Sequence, residues 1–226
     1  MKLQLALVLA TVFACAVVGF AHNNEDNQSN TQRRYHTVLD NYVWSPSPEY
    51  SYQLLATQTN DKATIYILNM TSVQWLTEQE IGIRSHWFHY LEVAVPKNLD
   101  HRIKEAMVYI TEGSQSDGIP TGDIMMSSIA YYTKTVCTAI HQVPNQPITF
   151  ASDPKQWVRY EDAIIAFAWK HFIYNTSATE WIPRLPMVKS SVLAMDTVQH
   201  FLKRQLNLEI KKFTIAGASK RGWTGK

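Results

Sequence analysis

The chain has 226 residues, a formal charge of +2, 46% apolar and 18% charged residues. That composition folds, which excludes bulk disorder, low complexity and a collagen-like repeat, and so small a charge with no basic run excludes a nucleic-acid binder. Cysteines occur only as Cys15 and Cys137, too few for a disulfide scaffold or a thiolate zinc site.

Met1–Ala21 reads as a secretory signal peptide. Lys2 supplies the positive start, Leu3–Phe20 is apolar apart from Gln4 and Thr11, and Gly19-Phe20-Ala21 closes as small-x-small. The run falls short of the ~20 uninterrupted apolar residues of a membrane anchor. A cleaved signal predicts a secreted, extracellular protein with no membrane attachment. Cys137 then remains alone, in an apolar stretch of helical spacing, as a buried and inert thiol. Secretion also gives meaning to the Asn-x-Ser/Thr sequons at Asn27, Asn69 and Asn175 as glycosylation sites. Residues 22–38 are polar and lack a hydrophobic period, which predicts a flexible leader before a domain over 39–226.

Leu39–Tyr50 carries Pro46 and Pro48 among aromatics and predicts irregular, extended chain. Tyr52–Thr57, Ala63–Met70 and Trp87–Val95 predict three consecutive antiparallel strands. Within the third, His86-Trp87-Phe88-His89 reads as aromatic strand packing rather than a metal site. Glu105–Thr111 is a nearly continuous apolar run, as in a strand buried on both faces. Ile124–Ile140 predicts a helix, with Met125, Ile129, Tyr132, Val136 and Ile140 on one face. Pro147–Phe150 predicts a short strand, Tyr160–Tyr174 a helix apolar almost all round and therefore buried, and Ser190–Leu206 a helix capped by Ser190 or Ser191. Phe213–Ala216 is the last strand. Alternation of this kind implies an α/β fold, with parallel strands near 105–111, 147–150 and 213–216 and helices on both faces.

Six of the eight glycines cluster beyond two of these strands: Gly113, Gly118 and Gly122 after the first, and Gly217, Gly222 and Gly225 after the last. Sites of open α/β sheets lie at such strand ends. The second cluster has the plan of a nucleophile elbow: Phe213–Ala216 as strand, Gly217 two residues before Ser219, then a helix start. Gly222 stands three residues after Ser219, with Arg221 where the usual pattern has glycine. Ser219 is the candidate nucleophile, and the Lys220 amide with Gly113 or Ser114 is the candidate oxyanion hole. The Lys220 and Arg221 side chains either orient an acidic substrate or form ordinary surface charge. Neither a cofactor nor a metal is called for.

Leu39-Asp40-Asn41-Tyr42-Val43, Ile110-Thr111-Glu112-Gly113-Ser114 and above all Ser219-Lys220-Arg221-Gly222-Trp223-Thr224 resemble the PhoPQ-activated pathogenicity-related family, from about Leu39 to the end of the chain. The resemblance implies an α/β-hydrolase-like fold and an extracellular protein. For the branch of secreted proliferation repressors it implies a signal that slows cell growth, with a cell-surface receptor or another extracellular protein as partner. A weaker similarity is to glucuronoyl esterases, which also place a basic residue directly after the serine.

An α/β-hydrolase supplies its acid and its histidine after the serine. Here all eight histidines (His22, His36, His86, His89, His101, His141, His171 and His200) precede Ser219. The expectation is thus the N-terminal part of such a fold, cut short after the elbow, marginal in stability and a poor catalyst. Two functions stay open, an extracellular proliferation signal and a serine hydrolase (peptidase or esterase) of which this chain is an incomplete fragment.

Overall fold

The computed structural model describes residues 37–122 and 124–225. The expected signal, nearly all of the leader, and Asn27 lie outside the described residues.

Thr37 opens α1 (Val38–Trp44). Its Oγ1 accepts from the Asp40 amide at 3.1 Å and Asp40 Oδ2 accepts from the Thr37 amide at 2.9 Å, a reciprocal capping box. The first half of the stretch expected to be irregular is therefore helical. Next come β1 (Ser51–Thr59) and β2 (Ala63–Gln74). Asn60 closes their turn, its Oδ1 accepting from the amides of Lys62 and Ala63 at 2.9 and 2.8 Å. After α2 (Glu78–Ile81) and a 3-10 turn, β3 (His86–Pro96) completes the antiparallel meander expected from the sequence.

The second half comprises β4 (Glu105–Ile110), α3 (Ile124–Thr133), β5 (Val136–Ile140), α4 (Glu161–Tyr174), α5 (Arg184–Leu206), β6 (Lys212–Gly217) and α6 (Lys220–Thr224). The sheet order is β1-β2-β3-β5-β4-β6. β5 joins the halves, antiparallel to β3 and parallel to β4, and β4 is parallel to β6 from Glu105↔Lys212 to Ile110↔Gly217. α3 covers one face, over Ile65, Ile67, Ala94 and Ala139. α5 covers the other, its Ala194, Val198 and Phe201 sharing one buried core with Leu68, Leu91, Val108 and Ile140, and α4 adds Ile164 and Ala168 to that core. This is an α/β-hydrolase-like arrangement, with the parallel strand ends and their loops on one rim.

The structure corrects several sequence expectations. The helix expected over 124–140 stops at Thr133, Lys134 turns into the left-handed region with φ +59°, and Val136–Ile140 is a central strand. Apolar residues four apart suggested helix, but Val-Cys-Thr-Ala-Ile is β-branched at alternate positions and buried at all five. Pro147–Phe150 is not a sheet strand. Ile148 makes only an isolated bridge with Arg159, because Pro147 has no amide to give a ladder; Ile148 and Phe150 still lie in the core. α5 begins at Arg184, so Ser190 and Ser191 are interior rather than caps, with the Ser191 hydroxyl bonded to the Met187 carbonyl at 2.9 Å. β4 is fully buried on one face only, through Ala106, Val108 and Ile110. α4 buries Ile164 and Ala168 but leaves Trp169, Ile173 and Tyr174 exposed. An apolar surface all round does not by itself put a neighbour on every side.

The core of the β3 face holds one polar chain. His89 Nδ1 donates to the His141 carbonyl at 2.8 Å, which leaves Nε2 to accept from the Ser72 hydroxyl at 3.0 Å. Ser72 in turn meets the Ser190 hydroxyl at 2.9 Å. Burial of the neutral ring pushes the His89 pKa down from 6.5 to about 4. Between those values the unfolded chain binds the proton and the folded chain does not, so stability falls as the pH is lowered through this window. A loss of about 3 kcal/mol between pH 6.5 and 4, at about 1.4 kcal/mol per pKa unit, is expected in urea denaturation. The loss should be absent in His89→Gln.

Candidate active site

Ile110 pairs with Gly217, so the two glycine-rich loops leave the sheet side by side. Gly113 and Lys220 each lie three residues beyond that last pair. The chain after β6 reverses within Ala218 and Ser219 and enters α6. Gly217 is required by this reversal: a Cβ there would sit 2.8 Å from both the carbonyl carbon and the oxygen of Arg221. Ser219 has φ 54° and ψ −123°, a conformation that a side chain penalises. Its side chain makes no capping bond to α6, and the residue is exposed. This is the geometry of a nucleophile elbow, a strained turn presenting a hydroxyl at the rim of the sheet.

The candidate oxyanion donors fare differently. The Lys220 amide opens α6, among the helix donors without an intrahelical acceptor. The Ser114 amide donates to Asp117 Oδ2 at 2.6 Å and is thereby occupied. Gly113 has φ +138°, and a Cβ on it would press to 3.2 Å on Asp117 and Gln142, so the loop passes there only as glycine. Arg221 NH1 stands 3.7 Å from Glu112 Oε2, which ties this loop to α6.

The cations after the serine meet carboxylates of the protein itself. Arg221 is only 5% exposed; its Nε donates to the Val143 carbonyl at 2.7 Å and its NH2 to Glu161 Oε1 at 2.6 Å. Lys220 Nζ meets Glu161 Oε2 at 2.7 Å and Asp162 Oδ1 at 3.0 Å. The Arg221 guanidinium, for which substrate orientation and surface charge were the two expectations, is thus buried and bonded within the protein. Burial acts to raise the Glu161 carboxyl, but the hydrogen bond from Lys220 and the charge and hydrogen bond of Arg221 outweigh it, and its pKa stays below the usual carboxylate value. Burial acts to lower the Lys220 ammonium, and its two carboxylate partners raise it.

Glu161 and its partner Gln146 were not among the sequence candidates. The available signal was the adjacent Lys220-Arg221 pair, which needs carboxylates once buried, and the Glu161-Asp162 pair heading an otherwise apolar helix.

Among the described residues, no histidine bonds Ser219. His86 sits between Glu49 and Glu78, His141 against Glu92, His171 against Ser152 and Trp181, and His200 against Tyr52. His89 is in the core, and His101 precedes β4, at the opposite end of the sheet. Cys137 is buried in β5 rather than a helix, and burial pushes its thiol up to about 12. Asn69 lies inside β2 with a buried Oδ1, whereas Asn175 is exposed just past α4.

The family described as PhoPQ-activated pathogenicity-related protein matches residues 39–225, elbow included. The chain belongs to this family. It is 36% identical to Autocrine proliferation repressor protein A of Dictyostelium discoideum over 192 residues, which cover 84% of this chain and 37% of that protein. The chain thus spans well under half the length of that relative. Among solved structures it is similar to a putative acetyl xylan esterase from Bacteroides fragilis, at 12% identity and a TM-score of 0.45, covering 83% of this chain and 48% of that one. It is also similar to a glucuronoyl esterase from Solibacter usitatus, at 12% identity and a TM-score of 0.48, covering 86% of this chain and 54% of that one.

Replacing Ser219 by glycine should relieve the turn and raise the unfolding free energy by about 1 kcal/mol. Gly217→Ala should lower it by about 1–3 kcal/mol through the forced contact with Arg221. Urea titrations of the two variants check both signs.

Proposed function

We propose that this protein is an extracellular repressor of cell proliferation carried on an α/β-hydrolase-like scaffold. The observation that supports this reading is its 36% identity, across 84% of the chain, to a protein of that name. Secretion belongs to the proposal and rests on the signal character of Met1–Ala21. The partner would be a cell-surface receptor or another extracellular protein. In a secretory pathway Asn175 is the exposed acceptor for a glycan among the described residues.

A second reading is favoured by one specific observation, the strained and uncapped Ser219. On it the family scaffold acts as a serine hydrolase, peptidase or esterase. Ser219 attacks the substrate carbonyl, and the amides of Lys220 and Gly113 receive the developing negative charge. A serine hydroxyl is a weak nucleophile until a base takes its proton. That base would have to come from outside the residues now in contact with Ser219.

The two readings separate in one assay. Purified protein and its Ser219→Ala variant are added to growing cells and the doubling time is followed. Equal slowing by both forms is the expected result. Slowing by the wild type alone would make catalysis the mechanism, and no slowing by either would refute the repressor reading.

A further inference from the structure

Glu161 begins α4 with φ +48°, a conformation uncommon outside glycine and asparagine. Such strain persists where the surroundings over-determine it, and here they do. The Glu161 amide donates to Gln146 Oε1 at 2.8 Å, and Gln146 Nε2 donates back to Glu161 Oε1 at 2.8 Å. The reciprocal pair fixes both the backbone and the carboxylate. That carboxylate then receives Lys220 Nζ on one oxygen at 2.7 Å and Arg221 NH2 on the other at 2.6 Å. Its two cationic partners are the two residues that directly follow Ser219.

Contacts from outside α6 hold its first turn against the tension at Ser219. The α4 terminus supplies two of them through the Glu161 carboxylate and another through Asp162 Oδ1, 3.0 Å from Lys220 Nζ. The Val143 carbonyl accepts from Arg221 Nε at 2.7 Å, Arg184 donates to the Lys220 carbonyl at 2.6 Å, and Glu112 Oε2 lies 3.7 Å from Arg221. Of these groups, only the Glu161 carboxylate meets both side chains that follow the serine.

We propose that Glu161 is a positioning residue for Ser219: by binding Lys220 and Arg221 together it clamps α6 and holds the strained turn in its hydroxyl-presenting form. The claim rests on the reading of Ser219 as a nucleophile for its consequence in chemistry, and on geometry alone for the clamp. Glu161 touches no substrate and acts only through α6.

The test compares the full chain with Glu161→Gln and with Ile164→Val. Glutamine keeps the size of the side chain but loses its charge and one acceptor oxygen. Ile164→Val loosens the same helix in the core without touching the carboxylate. Hydrogen–deuterium exchange is measured over 217–225, and the rate of Ser219 labelling by a fluorophosphonate is measured by mass spectrometry. Glu161→Gln should speed exchange in that segment and slow Ser219 labelling by about ten-fold each, while exchange over β4 stays the same and Ile164→Val leaves both readouts within about two-fold. Unchanged exchange in Glu161→Gln overturns the clamp, as does an equal effect of Ile164→Val. If exchange responds but the wild type is never labelled at Ser219, the clamp stands and the nucleophile reading fails.

Discussion

The chain after β6 has to reverse within two residues, and much of the rim around Ser219 follows from that constraint. Gly217 is there because any Cβ would strike the Arg221 backbone at 2.8 Å. Ser219 takes a strained φ of 54° because the helix starts immediately after it. A turn under that tension needs an anchor on its far side, and the anchor is α6. α6 in turn is tied to the rest of the protein through Lys220 and Arg221.

The parallel pairing of β4 with β6 sets what lies beside the elbow. With Ile110 opposite Gly217, the loop after β4 and the turn after β6 leave the sheet together. Gly113 can approach there because it carries no side chain to press on Asp117 and Gln142. The α4 terminus comes from further along the chain and closes the arrangement from the other side. The rim is thus built from three segments distant in sequence, joined mainly by charge-assisted hydrogen bonds in partly buried surroundings. Their burial makes each partner necessary, since a desolvated cation without its carboxylate is costly.

The strand meander and the elbow were legible in the sequence because both are written locally. β-branched alternation marks β2 and β3, and an apolar strand followed by Gly217-Ala218-Ser219 marks the turn. The segment 124–140 was misread because apolar residues four apart fit a helix and a fully buried strand alike. Pro147–Phe150 has the composition of a strand, but its place in the core is set by tertiary packing. Glu161 was not among the candidates, and the engagement of Arg221 within the protein was not foreseen, for one reason. Charge can be read from sequence, but the burial that turns a surface cation into an internal tie cannot. The capping box at Thr37 and Asp40 is a local signal that the reading of Leu39–Tyr50 as irregular chain left out.

The central claim is that Ser219 is held in a strained, hydroxyl-presenting turn. The measurement that tests it most directly is a crystallographic electron-density map of the Gly217–Thr224 segment. The account predicts positive φ at Ser219, near 54°, with both oxygens of Glu161 bonded to Lys220 and Arg221. A Ser219 in ordinary helical or extended conformation, with Lys220 and Arg221 turned to solvent, would contradict it.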